Sequence, residues 1–134
     1  MRRRHCAQNL LLYVFASSVL CTAVRSEDRA TLTAQQILER IKMKVGVEWS
    51  KNTVDTVKAG DPALKVTGIT TTMFPTLEVL KKSVAAGNNL IICHEPTFYN
   101  HKDDLTPLEK DDVQVEKLKY IKDNNLVVFR FHDH

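Results

Sequence analysis

His94 and Glu95 stand side by side at the end of the apolar run Leu90–Cys93, and Pro96 follows at once. A second group, His132-Asp133-His134, follows the apolar run Leu126–Phe131. Imidazole nitrogens and carboxylate oxygens are the mixed donors that borderline divalent metals take, zinc, iron and manganese among them. A metal ion held by such donors polarises a bound water, the chemistry of metal-assisted hydrolysis. On this reading His94 and Glu95 are candidate ligands, and His132, Asp133 and His134 join them if both groups converge on one edge. Glu95 has two further roles open to it: orienting a ligand from behind, or acting as the catalytic general base. A frayed, solvated terminus is the alternative reading of residues 132–134.

Other groups nearby have plainer readings. His101 and Asp103 fit surface loop residues, and Tyr99 fits loop packing. Cys93 fits a small buried hydrophobe. Several chemistries are absent as motifs: there is no phosphate-binding P-loop, no dinucleotide-binding glycine turn and no G-x-S-x-G nucleophile elbow. Cys93 and His94 make a poor thiol-protease pair, because neighbours on a strand point to opposite faces.

Elements of alternating type must position these groups. Thr33 caps a first helix, with Gln36 as its capping-box partner, Leu38, Ile41 and Val45 at helical spacing, and Gly46 as the stop. Asn52–Pro62 reads as a polar connection holding Asp55, Lys58 and Asp61, a solvated loop with an Asp-Pro turn, with a binding role as the alternative. Leu64–Met73 is rich in β-branched residues and reads as a strand. Thr76 caps a second helix that ends at Gly87. The strand before His94 follows, then a long polar loop over residues 96–110, a length that tends to be functional. Asp111–Asn125 is a third helix, capped by Asp111 or Asp112, with Val115, Leu118 and Ile121 facing inward. Leu126–Phe131 is the last strand. Helix, strand, helix, strand, helix, strand implies a parallel sheet, with both histidine groups delivered to the same edge.

The 134 residues suffice for one domain, and the apolar and charged fractions, 43% and 26%, are those of an ordinary globular chain. Three cysteines make no disulfide framework. Residues 1–26 read as a secretory signal peptide: Arg2-Arg3-Arg4 is the positive start, Leu10–Val24 is uncharged and mostly apolar, and cleavage falls after Ala23 or Ser26. An uncleaved anchor or a lipid-anchored Cys21 are the alternatives. Losing Arg2, Arg3, Arg4 and Arg25, with no acid among them, turns the formal charge from +3 to −1. Residues 27–134 therefore carry no basic nucleic-acid stripe.

Three stretches carry a resemblance: V-T-G-I-T (Val66–Thr70), G-N-N-L-I-I-C-H-E-P-T-F-Y (Gly87–Tyr99) and V-V-F-R-F-H-D-H (Val127–His134), joined by D-T-V-K-A-G-D-P (Asp55–Pro62). Together they are similar to the Nif-three-like dinuclear metal centre hexameric family, often labelled GTP cyclohydrolase type 2. The likeness covers roughly residues 33–134, the N-terminal half of the family's pattern. It implies a three-layer α/β sandwich with a mostly parallel sheet, two adjacent divalent metals per subunit, and a toroidal homo-hexamer.

Residue by residue, His94 matches the family's first metal-binding histidine, and Glu95 stands where a second histidine is frequent. His132 matches the histidine opening the second metal segment. The carboxylate ligand there usually lies a few residues further on, and Asp133 is the nearest substitute. A C-terminal His and Glu complete the family's metal pair and have no counterpart in this sequence. The expectation is thus an exported, periplasmic or secreted, divalent-metal protein: a metal-dependent hydrolase of an unidentified small molecule, or a non-catalytic oligomeric scaffold or inactive fragment. Membrane contact is expected only during export.

Overall fold

Leu90–Cys93 and Val127–Arg130 bury almost every side chain, which is how strands covered on both faces behave. The computed structural model describes residues 31–106 and 110–134. The signal-peptide reading of residues 1–26 lies outside the described residues. The elements are helix α1 (Ala34–Val45), strands β1 (Val57–Ala59) and β2 (Ile69–Thr72), helix α2 (Leu77–Ala85), strand β3 (Leu90–Cys93), helix α3 (Asp112–Asp123) and strand β4 (Val127–Arg130).

They form a four-stranded sheet in the order β1-β4-β3-β2. β2, β3 and β4 run parallel, while β1 lies antiparallel on β4, with an irregular register between Val57 and Ala59. Helices α2 and α3 cross over on one face, where Leu80, Ile91, Phe98, Ile121 and Val128 make one core. α1 covers the other face through Ala34, against Val66, Leu90 and Val127. Successive strand residues point to opposite faces, so Ile91 and Leu90 divide between the two cores. The result is the expected three-layer, mostly parallel α/β fold.

The helix ends follow the sequence signals. Thr33 and Gln36 form the reciprocal capping box, and Gly46 closes α1 at φ 73°. α2 ends with the amide of Asn88 donating to Ser83 and that of Gly87 to Val84, the two bonds of a Schellman turn. α3 ends the same way, with Asn125 in the left-handed position at φ 50°.

Two expectations need correction. The segment over residues 52–62 is not all loop: Val57–Ala59 joins the sheet as its antiparallel edge strand. The three-residue strand is too short to show a period, and an edge strand need not alternate. Gly60 lets it approach: a Cβ there would stand 2.0 Å from the Leu126 carbonyl oxygen. Val115 does not face inward. It is 48% exposed, and α3 packs through Leu118 and Ile121 instead.

Candidate metal centre

The register that pairs Cys93 with Arg130 fixes what comes next. Past the strand ends the pairing persists, with the amide of Phe131 donating to the Cys93 carbonyl (2.8 Å) and that of His94 to the Thr72 carbonyl (3.2 Å). The side chains of His94 and His132 are thereby brought together at the carboxyl edge of the sheet. Their rings stack with centroids 4.5 Å apart and planes 26° from parallel.

Hydrogen bonds set which nitrogen of each ring is free. His94 Nδ1 lies 3.3 Å from the Phe131 carbonyl oxygen. His132 Nδ1 lies 2.9 Å from Asp133 Oδ1. A carbonyl and a carboxylate only accept, so both Nδ1 atoms carry the proton. Each Nε2 then keeps its lone pair, the arrangement in which histidine binds metals.

Asp133 is anchored on its other side. Its Oδ2 accepts from Thr53 Oγ1 (2.7 Å) and from the Val54 amide (3.0 Å). The His132 ring, the Val54 amide and the Thr53 hydroxyl, in that order, hold its carboxyl well below the usual range. With both oxygens engaged, Asp133 orients the His132 ring.

Beneath this lies Asp55, 1% exposed. It accepts from the amides of His132 (2.6 Å), Asp133 (3.0 Å) and His134 (3.1 Å), and from His134 Nδ1 (2.8 Å). Burial pushes its carboxyl up, but these bonds outweigh it and leave the group below its ordinary value. Three successive amides can reach one carboxylate only because the chain turns after β4, so the terminus is not frayed. His134 is fully engaged: its Nε2 accepts from the Ser50 amide (3.1 Å) and its ring stacks on Trp49 at 4.0 Å.

The 94–104 loop is clasped from below by Arg130, which is fully buried. Arg130 Nε donates to the His94 carbonyl (3.0 Å), and its Nη1 donates to that of His101. Asp103 Oδ2 lies 3.6 Å from both Arg130 and Lys58, and its Oδ1 accepts from the Phe98 amide (2.7 Å). This clasp sets the His101 ring edge-on to His132, centroids 5.6 Å apart.

A family model described as Duf34/NIF3 (NGG1p interacting factor 3) matches residues 30–133. The chain belongs to the Duf34/NIF3 family. Among curated proteins none matches. Solved structures of similar fold include Staphylococcus aureus protein SA1388, with a TM-score of 0.60 and 20% identity over 75% of this chain and 28% of that one. A Bacillus cereus protein related to NIF3 has a TM-score of 0.61 and 16% identity, over 76% of this chain and 28% of that one. Reduced HcgD from Methanocaldococcus jannaschii has a TM-score of 0.56 and 22% identity, over 75% of this chain and 40% of that one. This Duf34/NIF3 chain thus spans well under half the length of those proteins, and the likeness concerns the fold.

Of the residues singled out in the sequence, the structure brings His94, His132 and Asp133 together. Glu95 follows on the same edge, its amide donating to the Met73 carbonyl (2.9 Å) and its carboxylate in no hydrogen bond among the described residues. The donor chemistry suits a divalent ion: two imidazoles whose Nε2 atoms make no hydrogen bond among the described residues. The donor count is incomplete, since no three His, Cys, Asp or Glu side chains converge with metal-holding geometry among the described residues. Sequence reasoning missed Asp55, Arg130 and Asp103. Asp103 is no surface residue, its side chain being 2% exposed. The signal that could have exposed Arg130 was a charge inside a buried apolar run, which demands a partner.

Proposed function

We propose that this Duf34/NIF3 chain binds divalent metal through Nε2 of His94 and Nε2 of His132, as part of a metal-dependent hydrolase. The observation that carries the reading is the stacked His94/His132 pair with both Nδ1 atoms bonded to acceptors. Two imidazoles fill two of the roughly four to six positions such ions use. Glu95 and water supply the others. A bound metal would provide a polarised water at neutral pH. The chain's own residues do the rest. Asp133 keeps His132 in the metal-binding tautomer. Asp55 fixes the backbone that carries it. Arg130 holds the His94 backbone in register, and Glu95 is the carboxylate available to take a proton. Zinc, iron and manganese all suit this donor set, two ions per subunit if a second site is completed. The complete assembly is a homo-oligomer, a hexamer by family resemblance, exported from the cytoplasm.

A non-catalytic metal-binding scaffold is the second reading, favoured by the incomplete donor set. Titration with cobalt(II) followed by visible absorption tests the common part. The parent chain should develop ligand-field bands that His94→Ala and His132→Ala abolish. Chelator-sensitive turnover of activated phosphoesters or amides then marks an enzyme. Saturated metal binding with no turnover marks a scaffold.

A further inference from the structure

Beside the histidine pair lies a cavity of about 510 Å³ whose wall includes Asn52, Thr53, Thr56, Lys58, His101 and Lys102. It is of the size that holds small-molecule ligands. Two of its wall residues tie it to the candidate centre. His101 stands edge-on to His132, and Asp133, also on the wall, is bonded to His132.

Lys58 is the unusual member. Its side chain is only 8% exposed, yet its ion partner, Asp103 Oδ2, stands off at 3.6 Å, beyond hydrogen-bond distance. Asp103 is shared with Arg130 at the same distance, so it only partly neutralises either cation. A nearly buried ammonium carries three N–H donors, and none has a hydrogen-bonded acceptor among the described residues. The buried atom left without a hydrogen bond here is Asp103 Oδ2, whereas the Lys58 ammonium opens on the cavity, where its donors are free for a ligand. The remaining wall groups have the same sense. The Thr56 hydroxyl, the Asn52 side-chain amide and the Lys102 ammonium make no hydrogen bonds among the described residues. His101 Nδ1 faces an Arg130 nitrogen at 3.4 Å, which can only donate, so the His101 N–H is on Nε2. The single carboxylate on the wall, Asp133, has both oxygens occupied. On the wall itself two lysines face one aspartate, with the Asp103 carboxylate behind Lys58 shared with Arg130.

We infer that this cavity binds a phosphate group, and, on the proposed function above, that the substrate is a phosphorylated small molecule whose phosphate sits on Lys58 and Lys102. Point donors arriving from several directions suit a tetrahedral oxyanion. A planar carboxylate is better matched by a guanidinium fork, and the one arginine nearby is spent on backbone carbonyls. The site needs no glycine-rich loop, which is why no phosphate motif was visible in the sequence.

The test is titration of the chelator-treated, metal-free chain with inorganic phosphate, followed by amide chemical shifts. Saturable shifts confined to residues around Thr53–Lys58 and His101–Lys102 are expected. Lys58→Met and Lys102→Met should each weaken binding about tenfold or more. Lys102 is exposed, so its variant keeps the test decisive if Lys58→Met fails to fold. Absence of saturable shifts, affinity unchanged in the folded lysine variants, or equal competition by acetate would each overturn the phosphate assignment. Because the protein is stripped of metal, a failure of the metal reading leaves this result untouched.

Discussion

Asp55 Oδ1 lies 2.6 Å from the backbone nitrogen of His132, 77 residues away in sequence. One buried carboxylate thereby sets the path of the segment that carries the second histidine of the pair. Replacing it with alanine strands three backbone N–H groups and His134 Nδ1 without their acceptor. Asp55→Ala should cost roughly 3 kcal/mol in urea unfolding and loosen His132. A loss below about 0.5 kcal/mol would mean that the turn after β4 holds without it.

Acid should act through the same group. Asp55 is held below its ordinary value in the folded chain despite its burial, and Asp133 is shifted the same way. A carboxyl with a lowered folded pKa adds stability that is complete above its unfolded value, about 3.9, and is lost as pH falls through the folded one. Parent stability should therefore drop from about pH 4 downward. Asp55→Asn should be less stable at neutral pH and show a shallower acid limb. Parallel pH profiles for the two proteins would contradict this.

Gly60 and Gly87 both have positive φ, 88° and 76°, yet differ in space. A Cβ at Gly60 meets the Leu126 carbonyl oxygen at 2.0 Å, while one at Gly87 meets nothing within 4 Å. Gly60→Ala should cost roughly 2–4 kcal/mol, because β1 must move away from the end of α3. Gly87→Ala should cost about 1 kcal/mol, the backbone strain alone. Thermal melts of the two variants check the order, and equal losses would place β1 elsewhere.

Cys93 is 1% exposed, and burial raises its thiol above the ordinary range, with a weaker opposing pull from its contact to Thr97. Thiol reagents should label it slowly in the native chain and rapidly in urea. Fast native labelling would show that the β3 core opens.

What was legible in the sequence is what local chemistry dictates. Thr33 with Gln36, Thr76 and Asp111 cap helices where their side-chain types say they should. Leu90–Cys93 and Val127–Arg130 are strands because short apolar runs between turn residues have little else to become. Parallel neighbours then place His94 beside His132. What was not legible depends on partners far along the chain. Asp55 resembles any loop aspartate until His132–His134 fold onto it. Asp103 becomes a buried residue only through Arg130 and Lys58. β1 shows no period over three residues, and pairs because β4 offers it an edge.

Metal content of the purified chain bears most directly on the candidate centre. Elemental analysis of the parent should find divalent metal at a fixed stoichiometry. His94→Ala and His132→Ala should lose it, and Glu95→Ala should lose it if that carboxylate is a ligand. Asp133→Asn should retain the fold but bind roughly tenfold or more weakly, as expected for a group that orients a ligand. Well-folded parent protein without metal, or metal retained in both histidine variants, would contradict the assignment of His94 and His132 as its ligands.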